Sequence, residues 1–161
     1  MKRTTIILNI ILGLIVLIFL LDFFTSFDIK NQTVKSFIYF GFLIGTPIIL
    51  FWNLFSKQTL LIIYPVLLLV LIIIINPLRI LYQKTGWQTY IVFYKHKNKN
   101  CKTIEFQMQD TGDLGFNKRE VEVSYLTPLF IITREISPNI DHDSDWIEVN
   151  ENINESGLKF P

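Results

Sequence analysis

Hydrophobic positions along this chain fall into two regimes. In the first half they form long unbroken runs, and beyond about Lys84 they alternate with polar residues. The runs are "TTIILNIILGLIVLIFLL" (Thr4 to Leu21), "FIYFGFLIGTPIILFWNLF" (Phe37 to Phe55) and "LLIIYPVLLLVLIIIINPLRILY" (Leu60 to Tyr82). A helix through the hydrocarbon core of a bilayer needs about 20 mostly apolar residues, which these runs supply. The pattern predicts three transmembrane helices. Lys2 and Arg3 before the first run also suit a signal peptide, but "DFFTSFDIK" follows, with no small-residue cleavage site, so an uncleaved helix is the better reading. Only "SKQT" separates the second and third runs, which makes them antiparallel neighbours.

After Lys84 the period becomes two. "WQTYIVFYK" is aromatic and β-branched, as strands prefer. In "TIEFQMQ", Ile104, Phe106 and Met108 alternate with Glu105, Gln107 and Gln109. "EVEVSY" repeats the device with Val121, Val123 and Tyr125, and "LFIIT" adds a fourth segment. "KHKNKN" and "DTGDLG" supply the turns. The expected fold class is therefore an α+β membrane protein: three transmembrane helices (residues 1–84), then a small antiparallel β domain of three to four strands (85–161) with one wet face. The final segment, from Ser137, is acidic and lacks a clear period. It reads as a loop with one short element at most, pinned by Trp146, Ile147, Leu158 and Phe160.

Candidate chemistry is sparse. Gly41 and Gly45, as "GFLIG", share a helix face that admits a close backbone neighbour. The neighbour is another copy of the chain, giving a homo-oligomer, or a helix of the same chain. Two internal helices are at hand, which favours the second. Pro47, Pro65 and Pro77 interrupt the helical ladder; Pro77 is expected to bend the exit, and Pro47, after Thr46, marks the least regular point of the bundle. No Asp, Glu, Lys, Arg or His falls within the three runs up to Leu78, which argues against a proton relay, an ion-coupled transporter and an intramembrane protease. Asn9, Asn53 and Asn76 are the strongly polar positions there.

At the exit, Arg79, Tyr82 and Trp87 have the chemistry of membrane-interface residues: a snorkelling cation and amphipathic rings. The short passage from Tyr82 to Trp87 keeps the β domain close to the bilayer. Lys95, Lys97, Lys99 and Lys102 surround the first hairpin turn, where they would meet anionic headgroups or an acidic partner, or simply stay solvated. Asp141, Asp143 and Asp145 have the opening spacing of a calcium loop, but Trp146 and Asn152 stand where such a loop needs Gly and Glu, so no metal site is expected.

Composition adds limits. The single cysteine, Cys101, excludes an intrachain disulfide, and a net charge of +1 gives no general attraction to nucleic acid. The two histidines, His96 and His142, join no catalytic constellation, and no nucleotide-binding or hydrolase motif is present. No cofactor and no catalytic residue is expected. Abundant Ile, Asn and Lys suggest an AT-rich bacterial genome. The sequence reads as a non-enzymatic accessory or interaction protein of the bacterial envelope, with lipid and another membrane or envelope protein as partners. A channel or transporter component, and a thiol- or metal-dependent enzyme at Cys101 or the acidic loop, are the alternatives. Positive charges split between the two faces. The flank of the first helix, with Lys2 and Arg3 before it and Asp22 and Asp28 after it, favours a cytoplasmic N-terminus and an external β domain.

Overall fold

The computed structural model describes residues 2–57, 59–83, 85–99, 101–111, 115–136 and 145–155. The "DTGDLG" turn, Lys84, the acidic loop with Asp141 and Asp143, and Leu158 and Phe160 lie wholly or partly outside them. The chain forms two compact units. One comprises residues 1–24 and 33–84 and is helical. The other comprises residues 25–32 and 85–161 and carries the sheet.

In the helical unit, α1 runs Lys2–Phe24, α2 Gln32–Phe55, α3 Thr59–Ile75 and α4 Pro77–Gln83. By length and apolar composition α1 and α2 can each cross a membrane, and α3 with α4 makes a third span if that bent pair is one. The third run is thus not a single rod. Its axis turns by 78° at the break. Asn76 explains the turn: it takes a positive φ of 75°, and its side-chain oxygen accepts the Leu78 N–H at 3.0 Å, capping α4. Pro77 then occupies the first helical position, where its missing N–H costs nothing. Pro47 and Pro65 sit inside continuous helices. Next to Pro47, the Thr46 hydroxyl donates to the Phe42 carbonyl at 2.6 Å.

Much of the helical interior is apolar, with Leu12, Val16, Phe19, Ile38, Phe42, Ile49, Leu68 and Ile72 buried. Phe19 stacks on Phe42 at 4.2 Å and meets Tyr39 edge-on at 5.0 Å. Two glycines of α2 let α1 approach. A Cβ at Gly41 would stand 3.2 Å from the Ile15 side chain, and one at Gly45 3.7 Å from Leu12. The close neighbour of the "GFLIG" face is therefore α1 of the same chain.

The sheet is larger than the sequence suggests. It holds six antiparallel strands in the order β1-β5-β4-β3-β2-β6. These are β1 Phe27–Ile29, β2 Gln88–His96, β3 Lys102–Asp110, β4 Phe116–Tyr125, β5 Phe130–Glu135 and β6 Trp146–Asn152. The two additions are the edges. β1 comes from the link between α1 and α2 and pairs with β5, Asp28 opposite Ile131. β6 comes from the acidic tail and pairs with β2. Register shifts on β2, between Thr89 and Ile91 and between Val92 and Tyr94, mark bulges, which bend a strand and increase its twist. The sheet curls accordingly. Lys30, just past β1, reaches Thr89 on β2 and Glu155 beyond β6, and Gln32 accepts the Gly86 N–H.

The expected wet face is not wet. Glu105 and Gln107 are fully buried, and so are Thr103 and Gln109 to within 8% exposure. Ile104 and Met108, on the other face of β3, are buried as well. Register is the cause. β3 meets β4 with Ile104 opposite Glu122, Phe106 opposite Glu120 and Met108 opposite Lys118. Directly opposed residues share a face, so the apolar row of β4 lies beside the polar row of β3. Val121 and Val123 join Ile131 and Tyr125 in an apolar cluster on that face. The inside of the curl is thus half apolar and half polar.

Candidate functional site

The polar half of the interior centres on Glu105. Its carboxylate accepts four hydrogen bonds. Thr103 and Tyr125 hydroxyls donate to one oxygen, each at 2.6 Å, and the Thr89 hydroxyl and Gln107 amide donate to the other at 2.6 and 2.9 Å. These donors come from three strands, so β2, β3 and β4 must all be in register for the set to exist. Burial pushes the carboxyl's proton affinity up, and the bonds from Thr103, Thr89, Tyr125 and Gln107 together outweigh it, leaving the pKa below the ordinary glutamate value. Tyr125 is shifted the opposite way. Burial, then the negative charge of Glu105, raise its pKa.

Two cations extend the network. Lys30 donates to the Thr89 hydroxyl and pairs with Glu155 at 2.8 Å, and the same Glu155 oxygen accepts the Thr89 N–H at 2.8 Å. Arg119 gives two bonds to the Gln107 amide oxygen, at 3.0 and 2.8 Å, and one to Asp28 at 2.7 Å. Its guanidinium carbon lies 4.1 Å from the centroid of the Trp87 ring, a cation–π contact. Asp28 and Lys30 thereby tie the α1–α2 link to the sheet interior. A cleft of about 380 Å³ opens beside Arg119, lined by Thr25, Ser26, Val121, Thr133, Arg134 and Glu135.

A charged carboxylate with four donors is a holding device. Its low proton affinity disfavours work as a general acid. Among the described residues no group of three or more His, Cys, Asp or Glu could hold a metal ion. Cys101 is an exposed free thiol.

The residues singled out in the sequence are dispersed. Gly41 and Gly45 face α1, and Trp87, half-buried just before β2, lies under the Arg119 guanidinium. Arg79 lies 5.3 Å from the centroid of Phe23, and Tyr82 is exposed at 60%. Of the four lysines, Lys95 pairs with Glu151 at 2.5 Å and Lys102 with Glu122 at 2.6 Å, both across neighbouring strands. Lys97 donates its N–H to the Asp145 carbonyl at 2.8 Å, and its side chain, like that of Lys99, is exposed.

Sequence reasoning missed two polar sites in the helices. Asp22 and Lys35 flank the first and second runs, yet both fall inside helices and are buried. They pair at 3.0 Å, and the Tyr39 hydroxyl donates to Asp22 at 2.6 Å. Asn9 and Asn53 exchange side-chain hydrogen bonds at 3.1 and 3.2 Å, and Asn53 also donates to the Leu61 carbonyl at 2.9 Å, joining α1, α2 and α3. The signal was the polar residue itself within or beside an apolar run, since each such group needs a partner there. The chain matches no known protein family, and no curated protein or solved structure proved significantly similar to it.

Proposed function

We propose that this chain is a non-enzymatic membrane protein of the bacterial envelope, in which three spans anchor a curled β unit that docks on another envelope protein. The observation that carries the docking is the outer edge of the sheet. β6 is a terminal strand of seven residues, exposed from Ile147 to Asn152, with Ile147 and Val149 presenting apolar side chains. An open edge of this kind accepts an added strand, with backbone groups giving affinity and alternate side chains giving selectivity. Three spans are supported by the pairing of β1 with β5. β1 precedes α2 and β5 follows α4, so a shared sheet requires an even number of crossings between them. α2 supplies one, and the bent α3–α4 pair supplies the other. The N-terminus and the sheet then lie on opposite faces, and the flanks of α1, with Lys2 and Arg3 before it and Asp22 and Asp28 after it, favour a cytoplasmic N-terminus and an external sheet.

A photo-crosslinking amino acid at Val149, in cells expressing the full chain, tests the docking. One dominant adduct with a second membrane or envelope protein is expected. Recovery of the uncrosslinked chain alone, or only of an adduct with itself, refutes the reading.

A further inference from the structure

The third apolar run ends in a short helix that does not follow the line of the one before it. α3 has 17 residues and is about 26 Å long at 1.5 Å per residue, close to the hydrocarbon thickness of a bilayer. α4 has 7 residues and departs from α3 at 78°. Spanning helices tilt from the bilayer normal by about 20° on average. With α3 at that tilt, α4 lies within about 30° of the bilayer plane. Its direction is held locally, since the Asn76 side chain caps it and Pro77 opens it.

A contact with α1 gives its depth. The Arg79 guanidinium carbon lies 5.3 Å from the centroid of Phe23, in the last turn of α1. α1 has 23 residues, or about 34 Å of helix, more than a hydrocarbon core of about 30 Å, so its last turn stands at the edge of the bilayer. α4 therefore runs at that level. Its side chains divide accordingly. Leu78 and Tyr82, four apart on one face, are each 60% exposed, and Ile80 across the helix is fully buried. Arg79 is exposed, and among the described residues no carboxylate pairs with it.

We infer that α4 is an in-plane interfacial helix: Leu78 and Tyr82 enter the upper acyl chains, and Arg79, held over Phe23, faces the lipid phosphates. α3 alone then makes the third crossing. This rests on reading α1 and α3 as spans. The partner is lipid, because an apolar face bordered by a cation is what seats a helix in that layer, with the arginine head reaching toward the polar side.

The test uses the full chain with Cys101→Ser, reconstituted in phosphatidylcholine–phosphatidylglycerol vesicles, with one nitroxide-labelled cysteine at a time. Depth is read by electron paramagnetic resonance, from the ratio of collisions with oxygen and with a water-soluble nickel chelate. Leu67→Cys, midway along α3 and 62% exposed, should sit near the bilayer centre. Leu78→Cys and Tyr82→Cys should report shallow lipid at depths within about 3 Å of each other, and Arg79→Cys should lie nearer to water than either. A helix that merely continued the span would change depth steadily, by roughly 6 Å from 78 to 82 with 79 in between, and that result overturns the inference. A label at Arg79 as deep as its neighbours overturns it too. So does full access of the nickel chelate to Leu78 and Tyr82, and so does low access of both reagents, which marks protein cover. If Leu67 itself is open to the nickel chelate, the spanning reading fails and takes this inference with it.

Discussion

Replacing Glu105 by glutamine tests whether the sheet interior depends on a charge. The side chain keeps its shape, so packing is nearly unchanged and the electrostatic change is isolated. Four hydrogen bonds to a carboxylate become bonds to an amide. Bonds to charged groups contribute about 1.5–3 kcal/mol and neutral ones about 0.5–1.5, so roughly 1 kcal/mol is lost at each. Orientation limits the damage. The amide nitrogen cannot face Gln107, which donates, but Thr103 and Tyr125 hydroxyls can turn to accept from it. Relief from burying a charge offsets part of the loss. A net destabilisation of about 2–3 kcal/mol is expected, equivalent to roughly 30- to 150-fold faster exchange of globally protected amides at 1.36 kcal/mol per tenfold.

The assay is hydrogen exchange of the β3 peptide in detergent, reported as the ratio of variant to wild type at each pH so that intrinsic exchange chemistry cancels. The pH dependence has a definite sign. The carboxyl's pKa is lower folded than unfolded, so its contribution is complete above the ordinary glutamate value of about 4.3 and is lost as pH falls through the folded value. The ratio should therefore be largest at neutral pH and shrink below about 4.3, as wild type loses what the variant never had. A ratio near one at pH 7, or one that does not change on acidification, refutes the account of Glu105 as a charged anchor.

In the helical unit, Gly41→Ile forces a branched side chain against Ile15 and should cost about 1–3 kcal/mol, lowering the melting temperature in detergent while leaving the oligomeric mass unchanged. A change in mass without loss of stability would instead make the glycine face an intermolecular contact. Asn53→Leu removes bonds to Asn9 and Leu61, each worth about 0.6–1.7 kcal/mol between membrane helices, and the Asn9→Leu, Asn53→Leu double variant should melt above the temperature that adding the two single losses gives. Strict additivity would show that the two asparagines are not coupled. Cys101 reports the side of the sheet: an impermeant maleimide should label it in intact cells, and labelling only after the membrane is opened would put the sheet in the cytoplasm.

How much of this was legible in the sequence depended on length of pattern. Long apolar runs revealed α1, α2 and the extent of α3, because nothing else accommodates so much contiguous apolar surface. β3 and β4 showed their period of two, β2 its aromatic and β-branched composition, and β5 only a short apolar run. β1 showed no signal, since three residues carry no period, and its strand identity comes wholly from pairing with β5. β6 was nearer to visible: "IEV" (Ile147 to Val149) alternates, but the acidic residues around it masked the signal. The polar interior was misread for a physical reason. Alternation states that Thr103, Glu105, Gln107 and Gln109 share a face, yet the same pattern serves a solvated row and a satisfied buried one. Only register, which set Val121 beside Glu105 and brought Thr89 and Tyr125 within reach, separates the two.

The pairing of β1 with β5 also orders events in time. Asp28 and Ile131 are partners across roughly a hundred residues of chain. At about 5–20 residues synthesised per second, the link between the first two helices waits on the order of 5–20 s for its strand partner. On the proposed reading α1 and α2 as spans enter the bilayer during that interval, while Phe27 and Ile29 have no sheet to join. The charges of Asp28 and Lys30 keep the waiting segment compatible with water, and only when Arg119, Thr89 and Glu155 have been made do they find their counterparts. A nascent chain truncated before Phe130 should therefore hold an accessible, protease-sensitive link that the finished protein protects.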